Sequence, residues 1–227
     1  MCGRYVLEDF EELSERLIQV PLRYEFHPPP TYNAAPSQTL PVVVSDDEGW
    51  TVRGMHWGLI PRWTKPGTRP KAMPINARAE TLTEKPMFRG LLRHRRCLVP
   101  ISGFYEWKRT GSAKQPYFIH DRTAPGLLLA GLYDEAPGPA EEPIQSFAII
   151  TTAANERVAP LHDRMPAMLD AEAAAEWMDG EETDSAALEH LLGAFPADQL
   201  DTYRVSREVN STRNNTPDLI ESLPDED

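Results

Sequence analysis

Long regular elements are ruled out in this chain by proline. Twenty-two prolines are spread through 227 residues, and each one fixes φ and removes a backbone donor, which breaks helix interiors and central strands. Between them lie short apolar runs, rich in β-branched and aromatic residues and bounded by Pro, Gly or Asp. Leu40 to Ser45, Thr51 to Trp57, Arg96 to Val99, Tyr117 to His120, Gly126 to Tyr133 and Ser146 to Thr152 read as strands. Helical spacing is confined to the margins. Phe10, Leu13, Leu17 and Ile18 place an amphipathic helix within Glu8 to Val20, and Asp170 to Met178 and Asp184 to Leu192 each open on an acidic N-cap candidate. The expectation is an α+β fold: one compact domain over residues 1–227, β-rich in its core, with flanking helices. Its core should run from about residue 2 to 215, with the tail Pro224 to Asp227 frayed.

Apolar residues make up 41% and charged residues 26% of the chain, as in an ordinary globular protein. No apolar run approaches the ~20 residues of a membrane span. The first ten residues hold an acidic pair and no apolar signal core, so the expected location is cytoplasmic, with no membrane partner. Two cysteines, Cys2 and Cys97, are too few for a disulfide framework. The net charge of −12 argues against a nucleic-acid partner when averaged over the chain. Its distribution argues otherwise, because Arg62 to Arg122 holds 14 of the 23 Lys and Arg against four acids, leaving that stretch at +10 and the remainder at −22. Either a solvated face or a single cationic groove follows, and a DNA-binding chain needs the groove. The acidity elsewhere, with 18 Arg to five Lys, suits a GC-rich genome or a salt-loving host.

Cysteine directly after the initiator methionine is the most informative position. A small second residue permits removal of Met1, which exposes a 1,2-aminothiol at Cys2. The amine has an ordinary pKa of about 7.7 to 8.0 and the thiol about 8.5, so both nucleophiles are accessible near neutral pH. An amine condenses with an aldehyde to an imine, and the neighbouring sulfur then closes a five-membered thiazolidine.

Six segments stand in a fixed order: Cys2-Gly3-Arg4-Tyr5, Tyr32-Asn33-Ala34-Ala35-Pro36, Trp57-Gly58-Leu59-Ile60-Pro61, Asn76-Ala77-Arg78-Ala79-Glu80-Thr81, Gly103-Phe104-Tyr105-Glu106-Trp107 and Leu161-His162-Asp163-Arg164-Met165-Pro166. The set resembles the SRAP (SOS response-associated peptidase) family of abasic-site shields, from Cys2 to about Asn210. The resemblance implies a barrel-like antiparallel or mixed β core, self-cleavage of Met1, and a covalent thiazolidine link to abasic sites in single-stranded DNA. Such a protein acts in the DNA-damage (SOS) response, combining protease or hydrolase chemistry with a largely single-turnover, lyase-like crosslinking. The resemblance brings neither a cofactor nor a metal.

On the same resemblance Cys2, Asn76, Glu106 and His162 are the catalytic candidates, and Arg4, Asn33, Trp63, Arg78 and Arg164 the DNA-binding ones. Their chemistry fits. Glu106 sits between aromatic and apolar neighbours that would raise a carboxyl pKa if it points inward, suiting it to move protons. The imidazole of His162 both donates and accepts near neutral pH and suits protonation of the sugar oxygen that leaves on ring opening. Asn76 and Arg78, two apart, share one face of an extended segment, where an amide meets sugar or amine and a guanidinium meets phosphate. The alternative for Arg78 is an ion pair with Glu80; Arg4 and Arg164 offer either phosphate contacts or internal ion pairs. Trp63, between Arg62 and Thr64 and near Lys65, fits a base-stacking platform. Family members often carry two adjacent tryptophans near here, and this chain has Arg62-Trp63 instead, so a guanidinium plane would replace part of any stacking platform. Trp57, Trp107 and Trp177 read as core, Cys97 as a buried strand residue, and His27, His94, His120 and His190 show no ligand spacing.

Three other classes use overlapping residues. A cysteine peptidase acting on other proteins would pair Cys2 with His162 and turn over peptides. A metal module of Cys2, Glu106 and His162 lacks the close spacing of soft ligands. A noncatalytic single-strand binder would work without Cys2.

Overall fold

The computed structural model describes residues 2–68, 70, 72–111, 113–138 and 142–224; Met1 and the tail beyond Pro224 fall outside them. In chain order the elements are β1 (Tyr5–Leu7), α1 (Phe10–Leu17), β2 (Leu22–Tyr24), β3 (Thr31–Ala34), β4 (Thr39–Asp46), β5 (Gly49–Trp57), β6 (Asn76–Arg78), α2 (Pro86–His94) and β7 (Arg96–Ile101). They continue with β8 (Gly103–Thr110), β9 (Ala113–Asp121), β10 (Leu127–Ala136), β11 (Ile144–Ala153), β12 (Arg164–Pro166), β13 (Met168–Leu169), α3 (Ala171–Met178), α4 (Ser185–His190) and β14 (Leu200–Arg204).

Five of these strands close a barrel. β5, β4, β7, β10 and β11 pair antiparallel in that order, and β11 returns to β5 in parallel with Ser146 opposite His56. The barrel is mixed, and closure leaves these strands no free edge. Its large interior side chains, Met55, Trp57, Leu98 and Phe147, are fully buried, and the Trp57 and Phe147 rings stack at 6.1 Å. A second sheet, in the order β14-β9-β8-β1-β3, carries the N-terminus between β8 and β3. On it lies a smaller apolar cluster of Val6, Tyr105, Phe118, Val205, Val209 and Leu219. Packing therefore continues past residue 215: Leu219 is buried, and Leu223 N–H donates to the Arg204 carbonyl at 2.9 Å.

All six expected strands form. The three expected helices form as well, with Asp9, Asp170 and Asp184 as N-caps whose carboxylates accept from the next turn. One helix, α2, carries a proline at its first position, where the missing donor costs nothing. Two motif glycines have structural reasons. Gly58 takes φ +139°, and a Cβ on Gly103 would lie 2.4 Å from Phe118 Cζ, so only glycine lets β8 approach β9 there.

Part of the basic stretch is spent inside the fold. Arg96 is buried and donates to the Leu92, Arg93, Trp177 and Asp179 carbonyls, capping the C-terminal ends of α2 and α3. Arg95 pairs with Glu135 at 3.2 Å, and Arg62 Nε donates to the buried Asp134 at 3.0 Å, which fixes the guanidinium expected to serve as a stacking plane. Local demands for helix caps and ion pairs claim these three side chains.

Cys97 is fully buried as expected, and burial pushes its thiol up from the ordinary range. A thiol raised in the folded state stabilises below its unfolded pKa and loses that contribution as pH rises past it. Stability should therefore fall above pH ~8.5 by about 1.4 kcal/mol per pH unit for such a thiol. In Cys97→Ala the cavity lowers stability at every pH, while the alkaline slope flattens by that amount. Denaturant melts between pH 8 and 10 measure it, and an unchanged slope would refute the assignment.

Candidate active site and nucleic-acid interface

β1 delivers the candidate nucleophile. Tyr5 pairs with Phe104 across β1 and β8, and Tyr105 N–H donates to the Arg4 carbonyl at 3.0 Å, so Cys2 runs alongside the segment that bears Glu106. Both are enclosed, with Cys2 at 0% and Glu106 at 3% exposure. Burial pushes the Cys2 thiol well up, and the Glu106 carboxylate adds to the shift. A thiol so placed stays protonated at neutral pH.

Glu106 opens onto a cleft of about 440 Å³ that it lines together with Arg4, Trp107, Arg109, Lys114, His162 and Asn210. Three permanent cations and a histidine thus surround a single carboxylate. Arg109 and Lys114 come from facing positions of the β8–β9 hairpin, in register with each other. Trp107, expected in the core, is half-buried at the cleft wall: the Arg4 guanidinium lies 5.8 Å over its ring, and its Nε1 donates to Asn210 Oδ1 at 2.7 Å. Arg109, Lys114, Trp107 and Asn210 were not singled out from the sequence as site residues. Pairing of the β8–β9 hairpin is the signal that would have found the first three.

His162 enters from the loop before β12. Its Nδ1 lies 3.0 Å from Arg164 N and 2.8 Å from Asp163 Oδ1, and one nitrogen cannot accept from the first and donate to the second at once. The backbone bond is the stronger claim, because the Asp163 side chain is 86% exposed and water competes for it. Nδ1 is then the acceptor, which leaves Nε2 as the ring's donor.

Asn76 and Arg78 lie on β6, which pairs in parallel with β11 so that Asn76 faces Ile149 and Arg78 faces Thr151. The Asn76 amide donates to the Ile149 carbonyl at 3.4 Å, while its Oδ1 is buried with no hydrogen-bond partner among the described residues. Packing links β6 to the N-terminal strand: the Tyr5 ring lies 5.0 Å from that of Trp57, whose Nε1 donates to the Ile75 carbonyl. Arg78 is exposed. Glu80 pairs with Arg164 rather than Arg78, at 2.5 and 2.9 Å in two-pronged geometry, and this bond holds its carboxyl below the ordinary range. Arg164 is thereby committed to an internal ion pair, one of the two roles open to it.

Two further candidates stand apart. Trp63 is 60% exposed on the loop after β5 and does not line the cleft. Asn33 is placed differently from a DNA contact: it is buried at 2%, its Oδ1 accepting from Arg4 and its Nδ2 facing the Val209, Ser211 and Asn214 carbonyls. Among the described residues no group of His, Cys, Asp or Glu is arranged to hold a metal ion, and no helix is long and apolar enough to cross a membrane.

The family model described as SOS response associated peptidase (SRAP) matches residues 1–212. The chain belongs to the SRAP family. Among its relatives, the abasic site processing protein YoqW of Bacillus subtilis is 41% identical over 226 residues, covering 98% of this SRAP chain and 100% of YoqW. The abasic site processing protein YedK of Escherichia coli is 33% identical over 228 residues, covering 98% and 100%. The crystal structure of a Bacteroides thetaiotaomicron protein superposes with a TM-score of 0.83 at 26% identity, covering 98% of the SRAP chain and all of that protein.

Proposed function

We propose that this SRAP chain captures abasic sites in single-stranded DNA through Cys2, as part of the DNA-damage response. The relatives named abasic site processing proteins support the DNA-damage role. The observation that carries the chemistry is Cys2 enclosed beside Glu106, a carboxylate that itself lines a cleft bearing three cations.

Hydrolysis of the Met1–Cys2 amide consumes one water and frees the α-amine. A ring-opened abasic sugar presents an aldehyde at C1′, and His162, donating a hydrogen bond from Nε2, stabilises the ring oxygen as it opens, the proton that completes the step coming from solvent. The Cys2 amine adds to the aldehyde and one water leaves, giving the imine. Sulfur then adds to the imine carbon. Because the buried thiol is protonated, this last step needs a base, and Glu106 takes the thiol proton while the imine nitrogen gains one. Asn76, through its buried Oδ1, orients the amine. Arg78, Arg109 and Lys114 meet phosphates, Trp63 stacks a base beyond the cleft, and Arg164 supports the site through Glu80.

The test is intact mass after incubation with a single strand carrying one abasic site. A gain equal to the DNA minus one water supports capture; peptide turnover without a gain supports a peptidase acting on other proteins. Initial binding should also weaken with salt, by a log–log slope of about −0.7 for each phosphate neutralised on a single strand. Lys114→Ala is expected to reduce that slope by about one such contact, read by fluorescence anisotropy with undamaged DNA. An unchanged slope would remove Lys114 from the binding surface.

A further inference from the structure

The N-terminal segment that carries Cys2 ought to fray, since chain ends stay mobile unless something ties them down. Here the tie comes from the far end of the sequence. Residues 205–223 run as a strap across β1 and β8, burying Val205, Val209 and Leu219 against Val6 and Tyr105. Asn33 sits at the crossing. Its Oδ1 accepts from Arg4 Nη1 at 2.7 Å, and its Nδ2 lies 3.3, 3.0 and 2.7 Å from the carbonyls of Val209, Ser211 and Asn214. Arg4 Nη1 also donates to the Val209 carbonyl at 2.8 Å, so residue, strap and N-terminal segment close on one another. A second tie, Trp107 Nε1 to Asn210 Oδ1, reaches the cleft wall itself.

We infer that the strap is part of the reacting machinery, with Asn33 a positioning residue that holds Arg4, and through it Cys2, at reacting distance. The inference rests on the capture reading above and deepens it. The bonds of Asn33 and Arg4 are buried or part-buried, so these are sheltered from water, and a buried amide left without partners is costly. Amine, aldehyde and base must meet within a few tenths of an ångström. A segment two residues from a free terminus meets that demand only if it is clamped, and a small displacement of the amine lowers the rate without touching DNA affinity.

The experiment measures adduct formation against DNA concentration for the parent, Asn33→Asp and Asn210→Leu, each checked for folding by thermal unfolding. Asn33→Asp keeps an acceptor for Arg4 and loses the donations to the strap; Asn210→Leu keeps the volume and cuts only the tie to Trp107. The maximal rate is expected to fall by about 10-fold or more in Asn33→Asp and by a smaller factor in Asn210→Leu, with half-saturating DNA held within about 3-fold. A maximal rate per folded molecule equal to the parent's in both overturns the inference. Weakened half-saturation at an unchanged maximal rate does so too, and returns Asn33 to the DNA contacts. If the parent itself forms no adduct, the capture reading fails and hydrogen exchange decides the clamp separately. Faster exchange of Tyr105 N–H, the bond to Arg4, in either variant supports it, and unchanged exchange in both rejects it. Should Asn33→Asp not fold, the Asn210→Leu rate and exchange measurements decide between the same outcomes alone.

Discussion

Protein that keeps Met1, whether through an added N-terminal residue or a blocked cleavage, is expected to form no heat-stable adduct with abasic DNA. While Met1 is attached, the Cys2 nitrogen is an amide without a basic lone pair, and no imine can form from it. Cys2→Ala should fail equally, each losing more than about 100-fold and falling below detection on denaturing gels. Cys2→Ser should be intermediate, because a hydroxyl closes the ring less readily and the open imine remains prone to hydrolysis. Affinity for undamaged single strands should stay within about 3-fold of the parent in all of them, since Arg109 and Lys114 lie on β8 and β9 and are untouched. Mass spectrometry establishes which chains begin at Cys2, and the gel gives the yield. A full-yield adduct from protein shown to retain Met1 would move the nucleophile to a lysine such as Lys65 or Lys71.

The barrel was legible because its strands are the short apolar runs that proline and glycine delimit; β4, β5, β7, β10 and β11 all fall on them. β8 escaped that reading although it carries Glu106. Its outer half, Trp107-Lys108-Arg109, is polar where the strand leaves the core to wall the cleft, so the apolar pattern that marks a buried strand stops midway. Helix α2 was hidden by its proline, which signals a break everywhere except at a first helical turn. The site divides in the same way. Cys2, Glu106 and His162 announce themselves by reactivity, whereas Asn33 and Asn210 are bonded to partners 176 and 103 residues distant, as in Asn33 with Val209 and Asn210 with Trp107, and no local pattern encodes such pairings. Charge is only partly legible for a related reason. A run of arginines in sequence says nothing of which carbonyls or carboxylates will claim them, and Arg62, Arg95 and Arg96 were all claimed.

Glu106→Gln separates the two things this carboxylate does to Cys2. Its charge helps hold the thiol up, second only to burial, so the neutral amide should bring the Cys2 thiol down toward the ordinary range and make thiolate more available. Its proton capacity, in the capture reading, serves addition, dehydration and ring closure, and the amide has none. The two effects oppose each other. If supply of thiolate limited the reaction, the variant would crosslink faster; if proton movement limits it, the variant should slow by about 100-fold at neutral pH despite a more acidic thiol. The second outcome is expected, because the amine rather than the sulfur makes the first bond and the protonated thiol must still be relieved of its proton in closing the ring. Rising pH should then restore part of the rate in Glu106→Gln, as hydroxide takes over from the missing base, while the parent changes less over the same range. Thiolate absorbance in a Cys97→Ala background, where Cys2 is the remaining thiol, reads the first effect, and single-turnover adduct formation reads the second. Parent-rate crosslinking by a Glu106→Gln protein whose thiol titrates lower would show the carboxylate to be an electrostatic neighbour alone, and the proton-transfer role would have to be withdrawn.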